Sequence, residues 1–323
     1  MNCLTKSRDF TRSDQRTPEP RVAAAARRDI EFVSGGVTCR AWLYAPTASV
    51  EPLAPCIVMG HGLGGTRDGS LEPYARRFAQ AGFYVLVFDY RYIGASDGEP
   101  RQLISIPLQL EDWAAGIACA RKLEGVDATR IALWGTSLSG GHAFTLAARD
   151  RGIAAISAQC PMLDGAASVR MFTQDAGLLA GARLTAAAWI DKARAVLGHE
   201  PYRVPLVAPP GQTAAMTSHD AYSGCLAIMP PGWRNEIAAR FFWEMPFYRP
   251  LRHAANVKCP TLILACMNDS VASVDAAAKA AQRMGANAEL VELPMGHFDI
   301  YLGEGFEISC REQVEFFKRT LAA

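Results

Sequence analysis

Ser137 is the residue of this chain best placed to act as a nucleophile. It follows Gly135-Thr136 at the end of the apolar run Ile131–Trp134, which reads as a buried strand, and it precedes Leu138–Ala148, which reads as a helix. A serine on such a strand-to-helix turn stands clear of both elements. Its Oγ then faces a helix N-terminus, whose orphan N–H groups and dipole favour an oxyanion. Backbones pass closely at a turn of this kind, and Gly135, Ser139, Gly140 and Gly141 keep it small. A serine hydroxyl is a weak nucleophile, so it needs a base, and the base needs an acid to orient it. Two later strand ends offer both. The apolar run Pro260–Cys266 leads into Met267-Asn268-Asp269, and the alternating run Ala288–Leu293 leads into Pro294-Met295-Gly296-His297. Open parallel sheets keep their sites just past the carboxyl ends of the strands. The roles that follow are Ser137 as nucleophile, His297 as general base and then acid, and Asp269 as the group that fixes the imidazole.

The same chemistry needs donors for the developing oxyanion. Pro55–Met59 reads as a short strand, and Gly60-His61-Gly62-Leu63-Gly64-Gly65 follows it. The backbone N–H groups of Leu63 and Leu138 are the expected pair. His61 directly precedes the loop and reads as its brace rather than as a second base. The glycines lack the Lys-Ser/Thr pair of a phosphate loop and the Gly-x-Gly-x-x-Gly spacing of a dinucleotide site, so no nucleotide cofactor is expected. The nine cysteines form no Cys-x-x-Cys pair and no histidine-spaced ligand set, so no metal is expected.

These motifs resemble the α/β-hydrolase superfamily. The resemblance rests on His61-Gly62, Phe88-Asp89-Tyr90-Arg91 with Gly94-Ala95-Ser96, the Ser137 turn, Asp269 and Gly296-His297-Phe298, and it runs from about Asp29 to the C-terminus. Within the superfamily the chain looks like the branch of dienelactone hydrolases, polyketide transferases and X-Pro dipeptidyl-peptidase-like esterases. The usual Gly-x-Ser-x-Gly here reads Gly135-Thr136-Ser137-Leu138-Ser139, with the glycine one place later at Gly140. That spacing is similar to the X-Pro peptidase branch, although the tyrosine expected after its nucleophile is Leu138. Epoxide hydrolases and haloalkane dehalogenases of this fold carry aspartate at the turn, so Ser137 argues against both. In the Phe88–Arg91 segment, Asp89 and Arg91 read as members of an internal polar network.

The elements needed to position these groups follow from the periodicity. Asp29–Val33 and Val37–Tyr44 read as a hairpin about Ser34-Gly35-Gly36. Strands and helices then alternate, which implies an α/β architecture with a mostly parallel, doubly wound sheet. The core is expected over 29–160 and 256–323, with a helical cap over 161–255 inserted between the sixth and seventh core strands. In the cap, Ala176–Leu197 favours helix, a proline-rich stretch from Pro201 to Pro231 reads as an irregular arm, and Trp233–Pro246 has near-helical spacing. Trp233, Phe241, Phe242 and Trp243 are its candidate pocket residues. Residues 1–28 read as a disordered polar tail, with Ala23–Arg28 open to a short helix, and they lack the apolar segment of a secretory signal.

Composition suits a single enzyme. Half of the residues are apolar, a fifth are charged and the net charge is +1, so no basic face for nucleic acid is implied. No apolar run reaches membrane-spanning length. Several cysteines sit in apolar strand-like runs, where a free thiol behaves as a small hydrophobe, and this suggests a reducing, cytoplasmic setting. The expected function is a cofactor-independent carboxylesterase acting on an apolar ester of moderate size. Acyl transfer, as in polyketide transferases, and C–C bond hydrolysis use the same triad, and a non-catalytic binding protein could retain the fold. The expected partner is a small-molecule ester, with a homodimer also open.

Overall fold

The computed structural model describes residues 26–47 and 52–322. The chain begins with β1 (Arg27–Ser34) and β2 (Val37–Tyr44), followed by β3 (Ala54–Gly60), α1 (Glu72–Gln80), β4 (Tyr84–Phe88) and α2 (Ile106–Ala120). Then come β5 (Val126–Thr136), α3 (Leu138–Ala147), β6 (Ile153–Gln159), α4 (Gly165–Ala176) and α5 (Leu178–Val196). β7 (Arg203–Val204), α6 (Ala221–Ile228), β8 (Ile237–Ala238) and α7 (Phe241–Glu244) lead to β9 (Thr261–Cys266), α8 (Val274–Met284), β10 (Ala288–Leu293) and α9 (Gly303–Thr320). Most of the expected tail lies outside the described residues. Its last three positions do not, and of these Arg27 and Arg28 pair with Tyr44 and Leu43 as strand rather than tail or helix. The Arg27 guanidinium stacks 4.4 Å above the Trp42 ring, which gives this basic residue a reason to join the sheet.

Eight strands form one sheet in the order β1-β2-β4-β3-β5-β6-β9-β10. The first two run antiparallel, turning at Gly35 and Gly36, whose φ values of 55° and 80° suit a two-residue hairpin turn. From β4 onward all pairings are parallel. β3 and β9 are buried along their whole length and β6 at all but Ala154, as expected of strands covered on both faces by helices. The chain reverses its direction of travel between β3 and β5. Those two strands end in register, with Gly60 opposite Gly135, so the loops that follow them emerge side by side. β9 and β10 also end in register, with Cys266 opposite Leu293.

Between the sixth and seventh strands of this sheet run α4 to α7 and the small antiparallel pair β7–β8. α4 precedes the expected helix and is separated from α5 by Gly177 at φ 85°. The expected helix over Trp233–Pro246 is not formed. Asn235 instead bonds both the N–H and C=O of Val207 at 2.9 Å, acting as a strand partner, and Ile237 pairs with Val204. Only Phe241–Glu244 keeps the helical period. The proline-rich arm likewise contains a helix, α6. The insert is tied to the core by hydrogen bonds. Glu244 accepts from the Ile106 N–H at 2.8 Å, while within the insert Arg249 reaches Asp164, the N-cap of α4, at 2.6 Å.

Candidate active site

Ser137 sits at the junction of β5 and α3 with φ 54° and ψ −120°, a conformation that L residues rarely adopt. Neighbouring backbone holds it there. Its N–H donates to Gln159 O at 2.9 Å, and its C=O accepts from Gly140 at 3.0 Å and Met162 at 2.9 Å. The turn has no room for a larger flank. A Cβ on Gly135 would lie 2.2 Å from Ser139 O, and one on Gly140 would lie 2.6 Å from Pro161 Cβ. Ser137 is partly exposed, whereas residues on either side of it are buried.

The β3 loop passes directly over this serine. A Cβ on Gly62 would come within 3.1 Å of Ser137 Cβ and 3.7 Å of its Oγ. Leu138 follows the serine and Leu63 lines the same cavities, and no hydrogen bond is found from the N–H of either among the described residues. His61 is buried, with Nδ1 2.9 Å from Gly62 O and Nε2 3.9 Å from Asp89 Oδ1. Burial pulls its pKa below the ordinary histidine value, outweighing the Asp89 charge, and so favours the neutral ring. Asp89 also accepts from the N–H groups of Arg67 at 2.7 Å and Ala95 at 3.0 Å, while Arg91 binds Asp112 at 2.6 Å. Asp89 and Arg91 thus belong to internal networks, though to separate ones.

Ser139, which replaces a customary glycine, uses its hydroxyl. It bonds the His61 carbonyl and Tyr90 Oη, and Tyr90 Oη accepts from Trp113 Nε1 at 2.7 Å. This chain ties the turn to the glycine loop. Sequence alone offered only the departure from pattern as a signal for it.

At the other pair of strand ends, Met267 N–H reaches Leu293 O at 2.8 Å and Asn268 N–H reaches Met295 O at 3.1 Å. These bonds align the two loops, and His297 Nδ1 lies 2.7 Å from Asp269 Oδ2. The other oxygen, Asp269 Oδ1, accepts from the N–H groups of Val271 and Ala272, both at 2.7 Å, which fixes the carboxylate. Burial pushes the His297 pKa down, but the Asp269 charge and hydrogen bond, helped by Cys160, raise it well above 6.5. Cys160 has no sequence signature. Its Sγ and the ligating atoms of Asp269 and His297 lie within 4.8 Å of one another, a donor set able to hold a soft divalent ion.

Ser137 opens on two cavities. The larger, about 700 Å³ with its open mouth included, is lined largely by Met162, Phe172, Met216, Phe241, Phe242 and Met245. The smaller, about 450 Å³, contains His297, Phe298, Tyr301, Cys225 and Met229. Leu63 and Met216 line both. Two of the expected pocket residues lie elsewhere. Trp233 donates to Gly64 O at 2.8 Å from a separate polar recess, so it braces the glycine loop from behind. Trp243 packs at 4.3 Å on Trp189, with Lys192 over its ring, away from the cleft. The methionines that line the larger cavity come from distant segments and carry no shared pattern in the sequence.

The profile of the X-Pro dipeptidyl-peptidase (S15) family matches residues 35–299. The chain belongs to this family. Among its relatives, the quorum-quenching protein AidA of Acinetobacter baumannii is 45% identical over 293 residues, covering 90% of this chain and 94% of that protein. The polyketide transferase ATR5 of Stachybotrys chlorohalonatus is 26% identical over 313 residues, covering 93% and 99%. In structure, this S15 member is similar to the alpha/beta hydrolase GrgF from Penicillium sp. sh18, with a TM-score of 0.78 and 26% identity over 92% of this chain and 100% of that one. The fold is that of an α/β-hydrolase. No helix among the described residues is long and apolar enough to cross a membrane.

Proposed function

We propose that this protein is a serine hydrolase that cleaves an apolar carboxylic ester of moderate size through an acyl-enzyme on Ser137. The observation that carries the reading is the 2.7 Å contact between His297 Nδ1 and Asp269 Oδ2, with His297 lining a cavity that Ser137 also lines. An imidazole anchored through Nδ1 presents Nε2 as the base. His297 takes the Ser137 proton as Oγ attacks the ester carbonyl. The Leu63 and Leu138 N–H groups receive the oxyanion, and His297 returns the proton to the departing alcohol. Water, activated by the same histidine, then hydrolyses the acyl-enzyme. The apolar lining of the larger cavity supports an apolar acyl group, with Phe241 and Phe242 among its contacts.

A second reading, acyl transfer, is favoured by one feature. The smaller cavity meets Ser137 from another side, giving an acceptor alcohol or amine a place beside the acyl-enzyme. The name of the relative ATR5 agrees with this reading. Both readings pass through the same acyl-enzyme and differ in what discharges it.

The test is pre-steady-state release of nitrophenol from p-nitrophenyl acetate, butyrate and octanoate. A burst in the wild type that is absent from Ser137→Ala supports the acyl-enzyme. Turnover accelerated by added alcohol or amine selects transfer. The absence of a burst with every ester from folded protein overturns the proposal.

A further inference from the structure

α5 is apolar on two faces, and only one of them is used. Leu184, Ala187 and Ala188, with Asp191, are buried and seat the helix on the insert. The opposite face is open. Leu178, Leu179, Trp189, Ile190, Val196 and Leu197 are each between 48% and 87% exposed. Ala182, Ala186 and Ala193 lie exposed among them, and along α5 only Arg183 and Thr185 add polar groups to the exposed set. Positions 179, 182, 186, 189, 193 and 196 recur in alternating steps of three and four, the spacing of a two-helix seam. From Leu178 to Leu197 the stripe is about 28 Å long at 1.5 Å per residue, a contiguous patch rather than scattered surface apolar residues.

The stripe is complementary to itself. Two copies of α5 laid antiparallel about a two-fold axis between positions 187 and 188 set Leu178 against Leu197, Leu179 against Val196, Ala182 against Ala193 and Ala186 against Trp189. Every large side chain then meets an apolar one, the indole fills the space an alanine leaves, and the two helix dipoles oppose each other. A parallel pair in register would set Trp189 on Trp189 and alanine on alanine. Alanine at three of the six seam positions adds little in a lipid surface but lets two helix backbones approach closely. Residues 1–25 bring Met1, Leu4, Phe10 and Val22 as their large apolar side chains, without the seam's repeat. We propose that α5 is the seam of a homodimer of this chain, its other occupant a second, antiparallel α5. The dimer is independent of the chemistry proposed for Ser137.

Sedimentation velocity on the full chain tests the seam, at about 1 to 100 µM, where a dimer held by one helix pair should dissociate. Wild type should shift from monomer to dimer over this range. Ala186→Glu, on an exposed position that the monomer does not pack, should raise the dissociation constant about 100-fold or more by burying a carboxylate at each end of the contact. Direction and register are read by cross-linking. Ala182→Cys/Ala193→Cys should give a disulfide-linked dimer on oxidation, and neither single variant should, because like positions lie about 16 Å apart along the pair. Circular dichroism checks that each variant is folded. A wild type that stays monomeric throughout, or a dimer that Ala186→Glu leaves intact, overturns the proposal. So does a monomer that floats with phosphatidylglycerol vesicles unless Ala186 is replaced, which would assign the stripe to lipid. Cross-linking by Ala182→Cys alone overturns the antiparallel register.

Discussion

The turn at Ser137 and the insert over 161–255 are built on opposite terms. At the turn, tolerance is measured in tenths of an ångström. Gly135 and Gly140 meet neighbours at distances that forbid a side chain, Gly62 sits close against Ser137, and the bonds that hold Ser137 are backbone bonds to Gln159, Gly140 and Met162. The insert instead relies on a few side-chain ties across long stretches of chain. Its strongest is Asp191, wholly buried, which accepts from the Tyr202 and Arg240 N–H groups at 2.8 Å and pairs with the Arg240 guanidinium. The comparison teaches that, on the proposed mechanism, the reacting serine rests on a locally coded turn, whereas the apolar cavity beside it is shaped by a region held by a few long-range ties.

The comparison is tested most severely by Ser137→Ala. It should lower kcat by roughly 10⁴-fold or more without altering the melting temperature by more than a few degrees, because only the reacting atom is removed. Asp269→Asn should cost about 10⁴-fold by presenting the wrong histidine tautomer. It also carries a pH signature. His297 must be neutral to act as base, so the rate rises as pH passes upward through its pKa. The Asp269 charge raises that pKa, so the acid limb of kcat/KM in the wild type should lie above 6.5 and move to lower pH in the variant. By the same linkage, the stability that His297 gains from Asp269 is present at low pH, below its unfolded pKa, and is lost as pH rises through the folded value.

Smaller effects separate the two regions further. Gly62→Ala should reduce kcat by about 10²-fold with little change in KM, since the added methyl displaces the donor loop from Ser137. Asp191→Ala should destabilise the insert by about 3 kcal/mol by stranding Arg240. It should raise KM more than it lowers kcat, while Ser137 still reacts with a small fluorophosphonate. An equal loss of labelling would show that the turn depends on the insert and would end the comparison. Phe242→Ala should shift chain-length preference towards longer acyl groups by about tenfold at most.

The strands and the three candidate catalytic side chains were legible because their signals are local. A strand end followed by a small turn occupies consecutive positions, and in a parallel sheet all such ends gather on one edge. Register then brings Asp269 to His297 with no further instruction than Cys266 opposite Leu293. The insert was legible in length but not in form. Aromatic spacing over Trp233–Pro246 suggested a helix because periodicity does not reveal that Asn235 will bridge Val207. Trp233 and Trp243 looked like pocket residues because type and neighbourhood say nothing about which way a side chain faces.

By itself, the sequence determined the alternating architecture, the glycine-lined turn around Ser137 and the placing of Ser137, Asp269 and His297 just past strand ends, because each depends on residues a few positions apart. Only the tertiary structure decided that Ser139 ties the turn to the glycine loop through Tyr90, that Cys160 adjoins the Asp269–His297 pair, and that Met216 stands between two cavities. Those contacts join segments tens to hundreds of residues apart. Their partners are chosen by how the sheet and insert pack, a choice that no local pattern encodes.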